Sequence, residues 1–177
     1  MANCVIFGCI SRGVHAMASQ SQLIIFWRRI VWWLIHICPC RDITIDTANG
    51  LLTISNKDWL IGKYLFIRRA HEIEEIQSVF NILKRNGHFL GPELGTVVNV
   101  GANIGMTCIA LLKSGAIGQV IAFEPYPPSF RLLEHNIHQN GMGARIQTFP
   151  LALSSLCGEL EFEIEPNNSG DNRIRKD

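Results

Sequence analysis

The sequence predicts an α/β fold in which parallel strands alternate with helices, and three observations predict it. Val97-Val98-Asn99-Val100 is an apolar run that breaks into the glycine-bearing turn Gly101-Ala102-Asn103-Ile104-Gly105. A second apolar run, Gln119 to Phe123, ends in a single carboxylate, Glu124. Between them Ile104, Cys108, Leu111 and Leu112 recur at helical spacing. Strand, turn, helix, strand is the unit from which an open parallel sheet is built.

Residues 1–40 form an apolar, tryptophan-rich segment. Leu23 to Trp27 and Ile30 to Cys38 are strongly apolar, but Arg28 and Arg29 interrupt them. Neither run approaches the roughly twenty residues that a membrane span needs. A signal peptide would carry its positive charges ahead of the apolar run, whereas here they split it. Two readings stay open. One is a helix packed on the rest of the protein; the other is an interfacial helix, its arginines at headgroup level, making a weak membrane-surface contact through residues 23–38.

Residues 41–95 read as a lead-in of hairpin and helix. Short β-branched runs between Ile43 and Ser55 flank Asn49-Gly50, a strong hairpin signal. Ile73, Ile76, Phe80 and Leu83 then trace a helix face that stops at Asn86-Gly87, and this helix is expected to cover the sheet. Gly91-Pro92-Glu93-Leu94-Gly95 punctuates the chain before the first core strand.

Residues 96–177 carry the alternating pattern itself. The helix after the glycine turn ends near Gly115. Pro127 suits a first helical turn, and Phe130, Leu133 and Ile137 give the next apolar face, ended by Asn140-Gly141. A third strand is expected near Ile146 to Pro150. Glu159 to Ile164 alternates as a half-buried strand would, with its glutamates on the solvent face.

The turn and the carboxylate carry the chemistry. Gly101 lets the backbone turn sharply at the strand end, and Gly105 is expected to let a ligand approach the helix start. Glu124 lies about twenty residues beyond the loop, where a carboxylate can accept hydrogen bonds from both ribose hydroxyls. A dinucleotide fingerprint needs glycines at the first, third and sixth places of the loop, which here hold Gly101, Asn103 and Met106. A pyrophosphate would meet side chains, which disfavours a nicotinamide or flavin dinucleotide. A cofactor without phosphate, such as S-adenosylmethionine, does not need that clearance.

These residues resemble those of the FkbM-type S-adenosylmethionine-dependent methyltransferases. The resemblance rests on Val98 to Gly105, Ala122-Phe123-Glu124-Pro125, Leu132-Leu133, Asn136 to Gly141, Ala152-Leu153-Ser154 and Asn168 to Arg175. With Asn49-Gly50-Leu51-Leu52 and Lys57 to Lys63 it extends from about Ala48 to Asp177. It implies a Rossmann-like class I methyltransferase fold with an N-terminal helix and hairpin lead-in, and methyl transfer to a hydroxyl oxygen. Carried over by position, Asn99, Gly101, Ala102, Asn103 and Gly105 would line the methionine part of S-adenosylmethionine, and Glu124 its ribose.

Two departures qualify that expectation. The family's first strand usually ends in an acidic residue where this chain has Asn99, so weaker cofactor binding is expected. The family also needs strands beyond the third for its adenine wall and acceptor pocket, so a sequence ending at Asp177 reads as a truncated, incomplete version of the fold. No residue can be assigned as catalytic base.

Composition bounds the remaining classes. A hydrophobic content of 47% with 18% charge argues for a folded core and against disorder. The net charge of +1 gives no global field for polyanions, so the expected partners are small-molecule, glycan or lipid hydroxyl acceptors and no nucleic acid. Cys4, Cys9, Cys38, Cys40, Cys108 and Cys157 lack zinc-finger or thioredoxin spacing, and free thiols in a cytoplasmic protein, with association at a membrane surface, are expected. His71-Glu72-Ile73-Glu74-Glu75 lacks the second histidine of a zincin, and His135 and His138 have no third ligand, so no metal is expected. The alternatives to an enzyme are a non-catalytic nucleoside- or S-adenosylmethionine-binding module and a nucleotide-dependent oxidoreductase, which the loop disfavours.

Overall fold

The computed structural model describes residues 22–39, 42–88, 95–155, 157–159, 161–165 and 172–174. Helix α1 (Gln22–Ile37) comes first. It turns Ile25 and Trp32 inward, and between them Arg28 donates to the Ile67 carbonyl at 2.9 Å. Positions 25, 28 and 32 follow the three- and four-residue steps of one helix face. Among the described residues no helix is long and apolar enough to cross a membrane.

Strands β1 (Asp42–Thr47) and β2 (Gly50–Ser55) pair antiparallel, with Thr47 opposite Gly50. The turn is therefore Ala48-Asn49, one residue earlier than the Asn-Gly signal implies. Gly50 belongs to the strand for a packing reason: a Cβ there would lie 2.7 Å from Ile109 Cγ2. Asn49 is fully buried and uses its amide on both backbone groups of His71, at 2.8 Å and 3.0 Å.

Helix α2 (Ile61–Arg68) has no counterpart in the sequence reading. Its start is held by Asp58, whose Oδ1 accepts from the backbone amides of Leu60 and Ile61 at 3.0 and 2.9 Å. Helix α3 (Ile73–Arg85) agrees with the predicted periodicity, but only Ile73, Ile76 and Phe80 pack into the core. Val79, Ile82 and Leu83 are exposed, so the helix covers the interior with one edge only.

The parallel sheet comprises β3 (Thr96–Val100), β4 (Gln119–Phe123) and β5 (Ile146–Phe149), in the order β3-β4-β5. Helices α4 (Met106–Lys113) and α5 (Pro127–Gln139) connect them. This strand-helix-strand-helix-strand succession is one half of a Rossmann-like α/β fold. Val120 and Ala122 meet the apolar faces of α4 and α5 in one cluster with Cys108, Leu112, Leu133 and Ile137. The opposite sheet face carries Val98 and Val100, both exposed, and Phe123 stacked on Phe149 at 5.1 Å.

A second cluster joins the lead-in to the glycine turn. Trp32, Ile43, Ile45, Leu52, Ile54, Leu65 and Phe66 pack with Ile104, Met106, Ile109 and Leu132. Near the end, the alternating stretch contracts to a two-residue strand β6 (Phe162–Glu163), paired antiparallel with β7 (Arg173–Ile174). Glu161 and Glu163 are exposed, as expected of a solvent face, and so is Ile164. The segments Gly91 to Leu94 and Asn168 to Asp171, with Cys4, Cys9, Cys40 and Arg175, lie outside the described residues.

Candidate cofactor site at the strand ends

The site lies at the C-terminal ends of β3 and β4, where open parallel sheets bind their ligands. Gly101 leaves β3 at φ 79°, Asn103 sits at φ 49° and Gly105 at φ 85°. Three left-handed residues in five fold the chain back on itself, and glycine or asparagine at each position limits the cost. Gly101 and Ala102 both donate their amides to the Phe123 carbonyl at 2.9 Å, which ties the turn to the end of β4.

Glu124 is buried at 7% exposure and sits directly against that turn. Its Oε2 accepts from the Asn103 amide at 2.8 Å, and its Oε1 accepts from the Tyr126 amide at 2.9 Å. An ionised carboxylate can accept about four hydrogen bonds, so these two leave capacity for two ligand hydroxyls. Burial raises the Glu124 carboxyl above its ordinary value of 4.5, opposed by the hydrogen bonds from Tyr126 and Asn103.

Gly101 turns the backbone as expected, but the free space lies beside it and not beside Gly105. A Cβ on Gly101 would meet nothing within 4 Å, so open space lies beside the first glycine. A Cβ on Gly105 would lie 2.7 Å from Leu133 Cδ1, so helix α5, not a ligand, requires the second. Close packing and ligand approach both exclude a side chain, and the sequence alone does not distinguish them.

Asn99 is placed differently from the others. Its Nδ2 donates to Cys108 Sγ on α4 at 3.1 Å, so the amide group is engaged with the helix packed behind the strand. Burial pushes the Cys108 thiol up to about 11, which keeps it neutral at physiological pH. The structure thus brings Gly101, Ala102, Asn103 and Glu124 together and turns the Asn99 donor away.

One supporting residue escaped the sequence reading as part of the site. Asn136, fully buried on α5, accepts from the Thr53 amide at 2.7 Å and donates to the carbonyls of Thr53 and Ile104 at 3.1 and 2.8 Å. It thereby fixes the glycine turn to the hairpin. The signal available was a polar residue one step before Ile137 on an otherwise apolar face.

The amides of the turn bear on what it can hold. A phosphate-binding turn offers unsatisfied N–H groups at a helix start. Here the amides of Gly101, Ala102, Asn103 and Gly105 all have acceptors within the protein. Within the turn the arrangement offers a carboxylate and an open glycine, which suits a neutral or cationic nucleoside.

No family model matches the chain. Over 78 residues it is 28% identical to the methyltransferase sdnD of Sordaria araneosa, a match covering 44% of this chain and 30% of that protein. Over 95 residues it is 32% identical to the AMB antimetabolite synthetase AmbE of Pseudomonas aeruginosa, covering 52% of this chain and 4% of that one. The chain thus spans less than a third of the length of these curated relatives. Among solved structures it is similar to TYW2 of M. jannaschii in complex with AdoMet, at 21% identity and a TM-score of 0.46, covering 63% of this chain and 43% of that one. Another, from Pyrococcus horikoshii, carries the name of an RNA methyltransferase; its identity is 19% and its TM-score 0.32, covering 43% of this chain and 36% of that one. That name corrects the expectation of no nucleic-acid partner: a net charge near zero describes the whole chain and does not exclude a local polyanion site.

Proposed function

We propose that this chain carries the donor side of an S-adenosylmethionine-dependent methyltransferase of the FkbM type, acting on a hydroxyl oxygen. The observation that carries the reading is Glu124, buried against a turn in which the amides of Gly101, Ala102, Asn103 and Gly105 already have acceptors. The remaining acceptor capacity of Glu124 fits the two ribose hydroxyls, and the space beside Gly101 fits the methionine end. The Asn99 Oδ1 would offer that end a neutral acceptor in place of the family's carboxylate. The match to sdnD supports methyl transfer as the reaction class.

When bound, the cofactor supplies an electrophilic methyl group on a sulfonium. The protein's part is to hold the nucleoside by Glu124, to fix the turn through Asn136, and to orient the donor toward an acceptor, since orientation supplies much of the rate of a two-substrate transfer. Calorimetric titration with S-adenosylhomocysteine, beside NAD as a control, tests the cofactor. Transfer of a labelled methyl group to sugar, polyketide, peptide and lipid hydroxyls, with RNA in the same panel, tests the acceptor. Binding of NAD in preference to S-adenosylhomocysteine would refute the cofactor assignment, and labelling of RNA alone would refute the hydroxyl small-molecule acceptor.

A further inference from the structure

Helix α1 buries one stripe and leaves the opposite one bare. Leu23, Trp27, Ile30, Leu34 and Ile37 recur every three or four residues on the side away from Ile25 and Trp32, with Leu23 65%, Trp27 56% and Ile37 62% exposed. Large apolar side chains grouped on one exposed face mark a surface that meets another apolar phase.

Beside this stripe, α1 and α2 enclose a groove of about 520 Å³. Arg29 and Lys63 bring positive charge to its lining, and Trp33, Trp59 and Tyr64 bring aromatic surface. Lys63 Nζ stands 4.5 Å from the Trp59 ring centroid. Trp32 also lines the groove, and its buried indole N–H has no hydrogen-bond acceptor among the described residues. Neither helix contains an aspartate or glutamate.

Aromatic and aliphatic insertion beside cations is the pattern of an interfacial helix on anionic lipid. A second copy of the chain would bring like charges together across the apolar stripe. An RNA backbone would satisfy the cations and leave the apolar stripe in water. We propose that the outer face of α1, with the groove it forms with α2, docks the protein on an anionic lipid bilayer, the apolar stripe entering the headgroup boundary and the groove receiving lipid phosphate. This surface is separate from the strand-end site and stands whether or not that site binds a methyl donor.

The test is flotation of the chain with phosphatidylcholine vesicles, with and without phosphatidylserine, while tryptophan emission is followed. Two double variants accompany it: Trp27→Glu with Leu34→Glu on the stripe, and Arg29→Glu with Lys63→Glu in the groove. All four positions lie at the surface or line the groove, and circular dichroism checks that each variant is folded.

The chain should float only with the anionic vesicles, with emission shifting to the blue, and raised salt should weaken binding. Each cation near an anionic surface contributes about fivefold in affinity, so the groove variant should bind at least about tenfold more weakly. The stripe variant should lose the blue shift. Absence from anionic vesicles, or binding indifferent to both variants, would overturn the proposal. So would self-association through the stripe without flotation, or RNA binding that the groove variant abolishes while vesicles are ignored.

Discussion

In the proposed function Glu124 holds the ribose, and its buried environment makes that assignment testable by pH. On that proposal Glu124→Ala should remove charge-assisted hydrogen bonds to the ribose worth about 1.5 to 3 kcal/mol, roughly ten- to a hundredfold in affinity for S-adenosylhomocysteine. Unaltered affinity by calorimetry would detach Glu124 from the ribose. Burial raises the folded-state carboxyl above 4.5, so the ionised acceptor is lost at a higher pH than for an exposed glutamate. Nucleoside affinity should therefore fall as pH drops through that raised value, and the alanine variant should show no such step. The sign for stability is opposite. A carboxyl raised on folding contributes most below 4.5 and loses that contribution as pH rises through the folded value. Urea unfolding of the unliganded chain should show this loss as pH rises above 4.5 in the wild type and not in the variant.

Asn99 and the two glycines separate roles that the sequence merges. Asn99→Asp keeps the shape and places a charge where the family carries one, and the neutral Cys108 thiol beside it can donate to the new carboxylate. Donor binding should tighten by up to about tenfold, the difference between a charged and a neutral hydrogen bond; equal or weaker binding would remove Asn99 from the cofactor's ammonium. Gly101→Ala adds a methyl into open space at φ 79° and should cost about 1 to 2 kcal/mol of stability from conformation alone, while obstructing the ligand. Gly105→Ala meets Leu133 as well and should cost more. Urea midpoints ranked the other way would contradict this division of roles.

At the scale of elements, the hairpin is held by side chains where a neighbouring strand would otherwise serve. Gln139 at the end of α5 and Asn140 just after it both donate to the Leu51 carbonyl, at 2.9 and 2.7 Å, and Asn140 accepts from the Leu51 amide at 3.0 Å. Asn136 does the same for Thr53. An open strand edge invites pairing with another chain, and these amides occupy it. Asn136→Leu should strand the Thr53 backbone groups and the Ile104 carbonyl, at roughly 1 to 3 kcal/mol for each buried group left unsatisfied. A loss of less than about 1 kcal/mol in chemical denaturation would show that water replaces the amide.

Elements that advertise themselves by period and punctuation were legible in the sequence. The three parallel strands, α4 and α5 follow from apolar runs and from the glycine and proline signals that bound them. Helix α2 was hidden because its start depends on Asp58 capping two amides over only eight helical residues, too short for periodicity to accumulate. The hairpin turn was displaced by one residue because Gly50 answers to Ile109 and not to the turn. Asn103 and Glu124 could each be singled out alone, but the hydrogen bond between them could not, since only folding brings the turn and the end of β4 together.

At the scale of the whole molecule, the glycine turn belongs to the same packed cluster as the lead-in. Ile104 and Met106, which flank Gly105, share that cluster with Trp32 of α1 and Leu52 of β2. Order at the turn therefore depends on helices and strands that do not reach the nucleoside. Trp32 is 1% exposed, and deleting so large a buried side chain costs about 3 to 5 kcal/mol, against a total stability on the order of 5 to 15 kcal/mol. Trp32→Ala should then lower the urea midpoint sharply and weaken S-adenosylhomocysteine binding, although Trp32 is not one of the residues at the strand ends. In the wild type, tryptophan fluorescence and far-ultraviolet dichroism should report one shared transition, because the lead-in cannot melt without releasing Ile104. Two separated transitions, with nucleoside binding surviving the first, would show that the turn is held by the parallel sheet alone.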